Sequence, residues 1–293
     1  RKTTVSMHTG RLVCGRAAGV PVLVMQGRLH PYEGFSADDL LLPVAVLACL
    51  GIDSAVVTNA AGGLNRHYQP GDLMAIRDHV DLHLHDPLRG LLARPMRPAR
   101  ELDAGQEQPA ALARIGRRGG PAHLYDPRLA RLLVKAAAAT GIPMHSGTYA
   151  SMYGPAYEAK AEIGMLRRIH CDAVGMSTAP ETVLLKRLGV SPVGLSCITN
   201  PARETGQPEL SHQDVVEVGA QVRDRVAAVL LAVAAGATLQ AELPAYSLAI
   251  WHGWTPALGM SVVAMAGGAV RACWLVNIKA NAYSFQTKIK LNT

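Results

Sequence analysis

An arginine and a histidine follow the first strongly apolar stretch of the chain, and together they could bind an anion. Arg28 and His30 lie in the segment QGRLHPYEG, residues 26–34, directly after the apolar run 21–25. Residues two apart on an extended segment point the same way, and both side chains donate charge-assisted hydrogen bonds to anionic oxygens. A solvated arginine next to a core histidine would give the same pattern, so the pair alone leaves both interpretations open.

Three further groups of segments stand near predicted strand ends, where open α/β sheets bind their ligands. Residues 58–65 are small, which suits either an anion-binding nest of backbone N–H groups or a tight turn between a strand and a helix. Residues 154–158 lead to 174–181, where Ser177 stands at a predicted helix N-terminus that favours phosphate. Residues 198–200 end another strand and precede Ser211 and His212 at a helix start. These segments are therefore candidates for a ligand site.

The elements that must position these segments alternate between short apolar strands and helices. Strands are predicted at 21–25, 52–58, 73–78, 148–153, 173–176 and 192–199, with a loop at 59–65 after the second. Helix starts are indicated by Ser36 with Asp39, Asp126 with Pro127, Ser177 or Thr178 ahead of Pro180, and Ser211 with Asp214. This alternation predicts an α/β protein with three layers, α/β/α, around a mixed, mostly parallel central sheet.

Six segments, in this order along the chain, resemble signatures of the trimeric purine nucleoside phosphorylase family. They are QGRLHPYEG, VTNAAGGLN, GDLMAIRDHV, GPAYEAKAE, DAVGMSTAPE and ITN, and the similarity spans about residues 5–235. The resemblance implies a nucleoside phosphorylase-like fold, a homotrimer, and a role in purine salvage. The implied reaction is phosphorolysis of 6-oxopurine nucleosides such as inosine and guanosine to the free base and ribose 1-phosphate. Inorganic phosphate is then a co-substrate, and neither a cofactor nor a metal is implied.

The resemblance also assigns roles to individual residues, with Asn200, Glu158 and His30 as the catalytic set. Phosphate would be bound by Arg28, His30, Ser177 and the backbone N–H of Ala60. The ribose would be contacted by Tyr32 and Met176, with His212 at its 5′-hydroxyl. The base would meet Tyr157, Glu158 at N1–H and Asn200 at N7, and His8 would lie on a loop over the phosphate site. The related methylthioadenosine phosphorylases carry Asp where Asn200 stands, and such an enzyme is the alternative function.

The chain departs from the family pattern in three places. The family's first strand and its Gly-Ser-Gly phosphate loop have no counterpart, so we expect an N-terminally incomplete phosphorylase domain over residues 1–238. Residues 91–123 form an Arg-rich insertion where the family has an aromatic-bearing loop, and residues 239–293 are an atypical apolar tail that we expect to be disordered or non-native. A catalytically impaired remnant that still binds nucleosides is therefore a second alternative.

Composition excludes several other classes of protein. The net charge is +7, but the excess of arginine is concentrated in the insertion and lacks an aromatic ladder, so we expect no nucleic-acid partner. The five cysteines are scattered without C-x-x-C spacing, which argues against disulfides or zinc and for a reducing, cytoplasmic location. Arg271 and several glycines interrupt the apolar tail, so we do not expect a membrane span.

Overall fold

The computed structural model describes residues 10–83, 123–202, 212–239 and 248–252. Its strands are β1 (Arg11–Ala17), β2 (Val20–Gln26), β3 (Ser54–Gly63), β4 (Leu73–Asp81), β5 (Met144–Ser151), β6 (Ala173–Gly175), β7 (Ser191–Pro201) and β8 (Leu248–His252). Its helices are α1 (Ala37–Cys49), α2 (Pro127–Ala139), α3 (Lys160–Arg168), α4 (Ala179–Arg187) and α5 (His212–Leu239), with a 3-10 turn at Pro31–Glu33. The predicted insertion lies outside the described residues except for its last residue. Of the predicted tail, the structure describes the end of α5 and strand β8.

The described strands form one mixed sheet in which five strands close on themselves. Strand β3 pairs in parallel with β7, β7 pairs antiparallel with β4, and β4 pairs in parallel with β5. Strand β5 then pairs in parallel with β6, which returns antiparallel to β3. The other side of β3 carries β8, β2 and β1 in that order. The sheet is therefore mixed, as predicted, but it contains a closed five-stranded ring that the sequence pattern did not indicate.

Helices pack on both sides of β3, because its alternate side chains point to opposite faces of the sheet. Val56 belongs to a core formed with α2 and α5, through residues such as Leu133 and Val229. Its neighbour Val57 belongs to a second core with α1 and α4, through residues such as Leu41, Val44 and Leu184. Both valines are completely buried. A continuous apolar strand of this kind is what burial on two faces requires.

Strand β3 extends further than predicted, and the expected loop at 59–65 is wrong for most of its length. The strand continues to Gly63, paired with β7 as far as Pro201, with a register shift between Ala61 and Gly62. The small residues permit close packing between strands, since a Cβ added to Gly63 would come 3.0 Å from the side chain of Ile198. The glycines therefore serve the sheet at this position and do not form a tight turn.

Two of the predicted helix starts are confirmed in detail. At α1 the Ser36 hydroxyl accepts a hydrogen bond from the backbone N–H of Asp39, whose carboxylate in turn accepts from the backbone N–H of Ser36. At α2 the Asp126 carboxylate accepts from the backbone N–H groups of Arg128 and Leu129. Helix α5 begins at His212, so Ser211 of the predicted capping box lies outside the described residues. Among the helices of the described ranges, none combines the length and the apolar content needed to cross a membrane.

Candidate active site

The site is organised around Arg28, which is only 4% exposed and lies two residues after β2. Its Nη1 donates hydrogen bonds to the Ser177 hydroxyl at 2.7 Å and to the Thr58 carbonyl oxygen at 2.9 Å. Its Nε lies 3.1 Å from Oε1 of Glu181, and both side chains of this ion pair are buried. A buried guanidinium requires such partners, since an uncompensated charge in the interior is strongly destabilising. The structure thus brings Arg28 and Ser177 together, as the sequence resemblance implies.

Ser177 is presented by a backbone turn that several side-chain hydrogen bonds hold in place. The next residue, Thr178, is the N-cap of α4 and has φ 78° and ψ −49°, a conformation that is strained for a β-branched residue. Its hydroxyl makes no capping hydrogen bond and instead accepts one from Nδ2 of Asn59 at 2.8 Å. The Ser151 hydroxyl donates to the Ser177 carbonyl oxygen at 3.0 Å. Strain of this kind persists where surrounding contacts over-determine the conformation, and such positions cluster at active sites.

His30 lies beside this group and is oriented by the 3-10 turn that follows it. Its Nδ1 is 3.1 Å from Oε1 of Glu33, and the same oxygen accepts a hydrogen bond from the backbone N–H of His30 at 2.9 Å. The ring stacks on Tyr32, with centroids 4.9 Å apart and planes at 17°. Burial lowers the pKa of His30 below its ordinary value; the hydrogen bond to Glu33 opposes this shift, and the positive charge of Arg28 adds to it. Nδ1 of His30 is thus committed to Glu33.

Tyr32 and Met176 both lie next to Gly154. Gly154 follows β5, so it brings the end of β5 close to the segment after β2 that carries Tyr32. A Cβ placed on Gly154 would lie 2.4 Å from Sδ of Met176 and 2.9 Å from Cδ1 of Tyr32. The residue before it, Tyr153, donates a hydrogen bond from its hydroxyl to the Pro31 carbonyl oxygen at 3.2 Å. Burial raises the pKa of Tyr32 to about 12, so its phenol stays neutral. The two side chains assigned to the ribose therefore form one contiguous surface.

The residues assigned to the base lie on separate segments. Tyr157 is 45% exposed; its partial burial raises its pKa, and the carboxylates of Glu158 and Asp214 raise it further. Asp214 belongs to the first turn of α5, which begins at His212. Burial raises the pKa of Glu158 above the ordinary glutamate value. No hydrogen bond joins Glu158 to Asn200 within the described part of the chain.

Asn200 is held at the end of β7 with its amide oriented by its neighbour. Its Oδ1 accepts a hydrogen bond from the Thr199 hydroxyl at 3.0 Å, so Nδ2 is the atom left to donate elsewhere. Asn200 pairs with Gly62 of β3, and a Cβ on that glycine would lie 3.3 Å from Nδ2. Ala60, also on β3, has its carbonyl oxygen near Gly175, just before Met176 and Ser177. Asn200 and Ala60 are thus both on strands that meet at the site.

Sequence reasoning missed the contacts that hold these residues in place. No sequence pattern indicated that Glu181 is the ion-pair partner of Arg28. Asn59 was assigned to a loop, yet it fixes Thr178. Both residues fall inside segments that resemble the family, which was the available signal. His8 lies outside the described residues.

Comparison with known proteins agrees with this arrangement. Residues 2–235 match the phosphorylase superfamily. Purine nucleoside phosphorylase 1 of Bacillus subtilis is 39% identical over 221 residues, which cover 75% of each chain. The purine nucleoside phosphorylase of Rattus norvegicus is 37% identical over 223 residues, covering 74% of this chain and 72% of the relative. The structure of Schistosoma mansoni purine nucleoside phosphorylase in complex with inosine superposes with a TM-score of 0.67 at 34% identity, covering 80% of this chain and 78% of that one. The chain therefore belongs to the phosphorylase superfamily, within its purine nucleoside phosphorylase family.

Proposed function

We propose that the protein catalyses the phosphorolysis of purine nucleosides, with 6-oxopurine nucleosides such as inosine and guanosine as substrates. Phosphate would attack the anomeric carbon of the ribose, and the purine would leave with the electrons of the glycosidic bond. The products are the free base and ribose 1-phosphate. The observation that carries this proposal is the buried hydrogen bond between Arg28 and Ser177, which directly follows Met176 in the turn before α4.

Phosphate, the co-substrate, would be bound where Arg28 and Ser177 meet. The guanidinium and the hydroxyl are 2.7 Å apart, so one phosphate oxygen could reach both groups. The N-terminus of α4 adds a dipole that favours an anion. His30 and the backbone N–H of Ala60 complete the proposed set of donors. Charge-assisted hydrogen bonds from such donors are about twice as strong as neutral ones.

The nucleoside would lie over Tyr32 and Met176, with its 5′-hydroxyl at His212 and its base against Tyr157. As the glycosidic bond breaks, negative charge gathers on the purine, and groups that bind this charge more tightly in the transition state accelerate the reaction. Asn200 suits that task, because the Thr199 hydroxyl occupies its Oδ1 and leaves Nδ2 to donate to N7. Glu158, as a carboxylate, would accept the N1–H of a 6-oxopurine.

The proposal extends to features of the whole protein. We place the enzyme in the cytoplasm as a homotrimer, and we assign it a three-layer fold with a mostly parallel sheet. Two observations support that fold. Helices pack on both sides of β3. Among the described residues, five strand pairings are parallel and three are antiparallel. We propose no cofactor, no nucleic-acid partner and no membrane partner.

The test is cleavage of inosine by the purified chain, followed by ultraviolet absorbance with and without phosphate. Guanosine, adenosine and methylthioadenosine serve as comparators. We expect inosine and guanosine to be cleaved only when phosphate is present, and the two 6-aminopurine nucleosides to react at least about tenfold more slowly, since a mismatched polar group costs at least ~1.4 kcal/mol. Faster cleavage of methylthioadenosine would favour the alternative phosphorylase. Binding of inosine without turnover would favour an inactive remnant.

The variant Asn200→Asp tests the assignment of the base site in the same assay. A carboxylate at this position can only accept hydrogen bonds, so it would lose the donor proposed for N7 and could instead accept from the 6-amino group of adenosine. We expect the ratio of inosine to adenosine turnover to fall by about tenfold or more. An unchanged ratio would show that Asn200 does not contact the base.

A further inference from the structure

We propose that Glu181 is a positioning residue for phosphate, acting through the guanidinium of Arg28; this inference rests on the proposed phosphate site. Glu181 is the third residue of α4 and is only 6% exposed. Its Oε1 lies 3.1 Å from Nε of Arg28. Its other oxygen, Oε2, is buried without a hydrogen-bond partner among the described residues. Orienting Arg28 is thus the interaction that accounts for a carboxylate at this place in the core.

The guanidinium is fixed because it is anchored at two different nitrogens. Glu181 contacts Nε, whereas the Thr58 carbonyl oxygen accepts from Nη1. The ion pair at Nε and the hydrogen bond at Nη1 together oppose rotation of the planar group about its last bond, which keeps Nη1 2.7 Å from the Ser177 hydroxyl. Without the contact at Nε the guanidinium plane of Arg28 could rotate. Nη1 and the Ser177 hydroxyl would then no longer lie side by side to bind the same phosphate oxygen.

A purely stabilising role explains this pair less well. A buried ion pair gives little net stability compared with apolar residues of similar volume, because both charges must be desolvated. The same short segment supplies both Ser177 and Glu181, four residues apart, so a single turn of chain holds Arg28 from two directions. This geometry points to alignment of a cation toward a substrate.

Two substitutions of Glu181 distinguish alignment of the Arg28 guanidinium from neutralisation of its charge. Glu181→Gln keeps an oxygen at the same distance from Nε but removes the negative charge. Glu181→Asp keeps the charge but withdraws the carboxylate by one methylene. If Glu181 positions Arg28, the Asp variant should raise the KM for phosphate by about tenfold, the value of one charge-assisted hydrogen bond, and the Gln variant by less than about threefold. The KM for inosine should stay within about twofold of the original in both variants.

Other outcomes overturn the inference. A larger effect of Gln than of Asp would show that Glu181 balances charge only. Equal effects of the two variants on the KM for phosphate, or a parallel rise in the KM for inosine, would indicate a general structural role. Asp126→Asn is the control, because Asp126 is also a buried carboxylate paired with an arginine, Arg128, outside the site. It should lower stability and leave both KM values unchanged.

The variant Ser177→Ala, measured alongside, distinguishes this inference from the proposed function. It removes one hydroxyl and should raise the KM for phosphate. If it does so while Glu181→Asp has no effect, only the role of Glu181 is wrong. If Ser177→Ala leaves the KM for phosphate unchanged, the proposed phosphate site itself is wrong.

Discussion

Replacing Gly154 with alanine would test how Tyr32 and Met176 are packed at the site. Gly154 has φ +75°, in the region that favours glycine. The added Cβ would lie 2.4 Å from Sδ of Met176 and 2.9 Å from Cδ1 of Tyr32, closer than Cβ contacts found in proteins. The Met176 side chain is flexible and can move, but only by leaving the surface that we assign to the ribose.

The cost of this substitution has two parts. The left-handed backbone conformation costs a residue with a Cβ about 1–2 kcal/mol. Overpacking against the two side chains adds about 1–3 kcal/mol. The sum of about 2–5 kcal/mol is a large part of the ~5–15 kcal/mol that stabilises a typical domain. We therefore expect a folded but weakened protein whose KM for inosine rises by about tenfold, with a smaller change in the KM for phosphate.

Urea unfolding and steady-state kinetics would measure these two effects, with Gly141→Ala as a matched control. Gly141 has φ +69° and no atom within 4 Å of an added Cβ, so it carries the backbone cost without the crowding. The difference in unfolding free energy between the two variants gives the crowding alone. Equal losses of stability, together with an unchanged KM for inosine, would refute the packing of Tyr32 and Met176 around Gly154.

Two further predictions concern the base site and the turn before α4. Burial raises the pKa of Glu158, and the ionised form is the one that accepts N1–H, so affinity for guanosine should decrease as the pH falls through that raised pKa. Calorimetry without phosphate should show this decrease, and Glu158→Gln should abolish it; the same decrease in the variant would contradict the role of Glu158. At Thr178, both Thr178→Ala and Thr178→Gly lose the hydroxyl that binds Asn59, but only glycine relieves the positive φ. The glycine variant should be about 1 kcal/mol more stable in urea unfolding, and the reverse order would show that the turn is not strained.

Local features of the fold could be predicted from the sequence because they depend on neighbouring residues. The capping box of Ser36 and Asp39 and the N-cap Asp126 each involve residues at most three apart, and both are confirmed. The apolar run 21–25 lies within β2 as expected. Side-chain chemistry within a few residues was sufficient in all three cases.

Features that depend on distant partners could not be predicted in this way. The small residues after Thr58 indicated a loop, but pairing with β7 keeps them in β3 as far as Gly63. The hydrogen bond between Asn59 and Thr178 joins residues 119 positions apart, and the one between Arg28 and Ser177 spans 149 positions. The closed ring of five strands likewise depends on which strands become neighbours. Family resemblance supplied the candidate site residues, and the structure shows which contacts hold them.

The most direct test of the central claim is the identity of the sugar product. Purified protein would be incubated with inosine and inorganic phosphate, and the products followed by phosphorus-31 NMR together with absorbance of the released base. We predict a ribose 1-phosphate signal that grows in step with hypoxanthine and is absent when sulfate replaces phosphate. Release of hypoxanthine with free ribose, at a rate that does not depend on phosphate, would contradict the account.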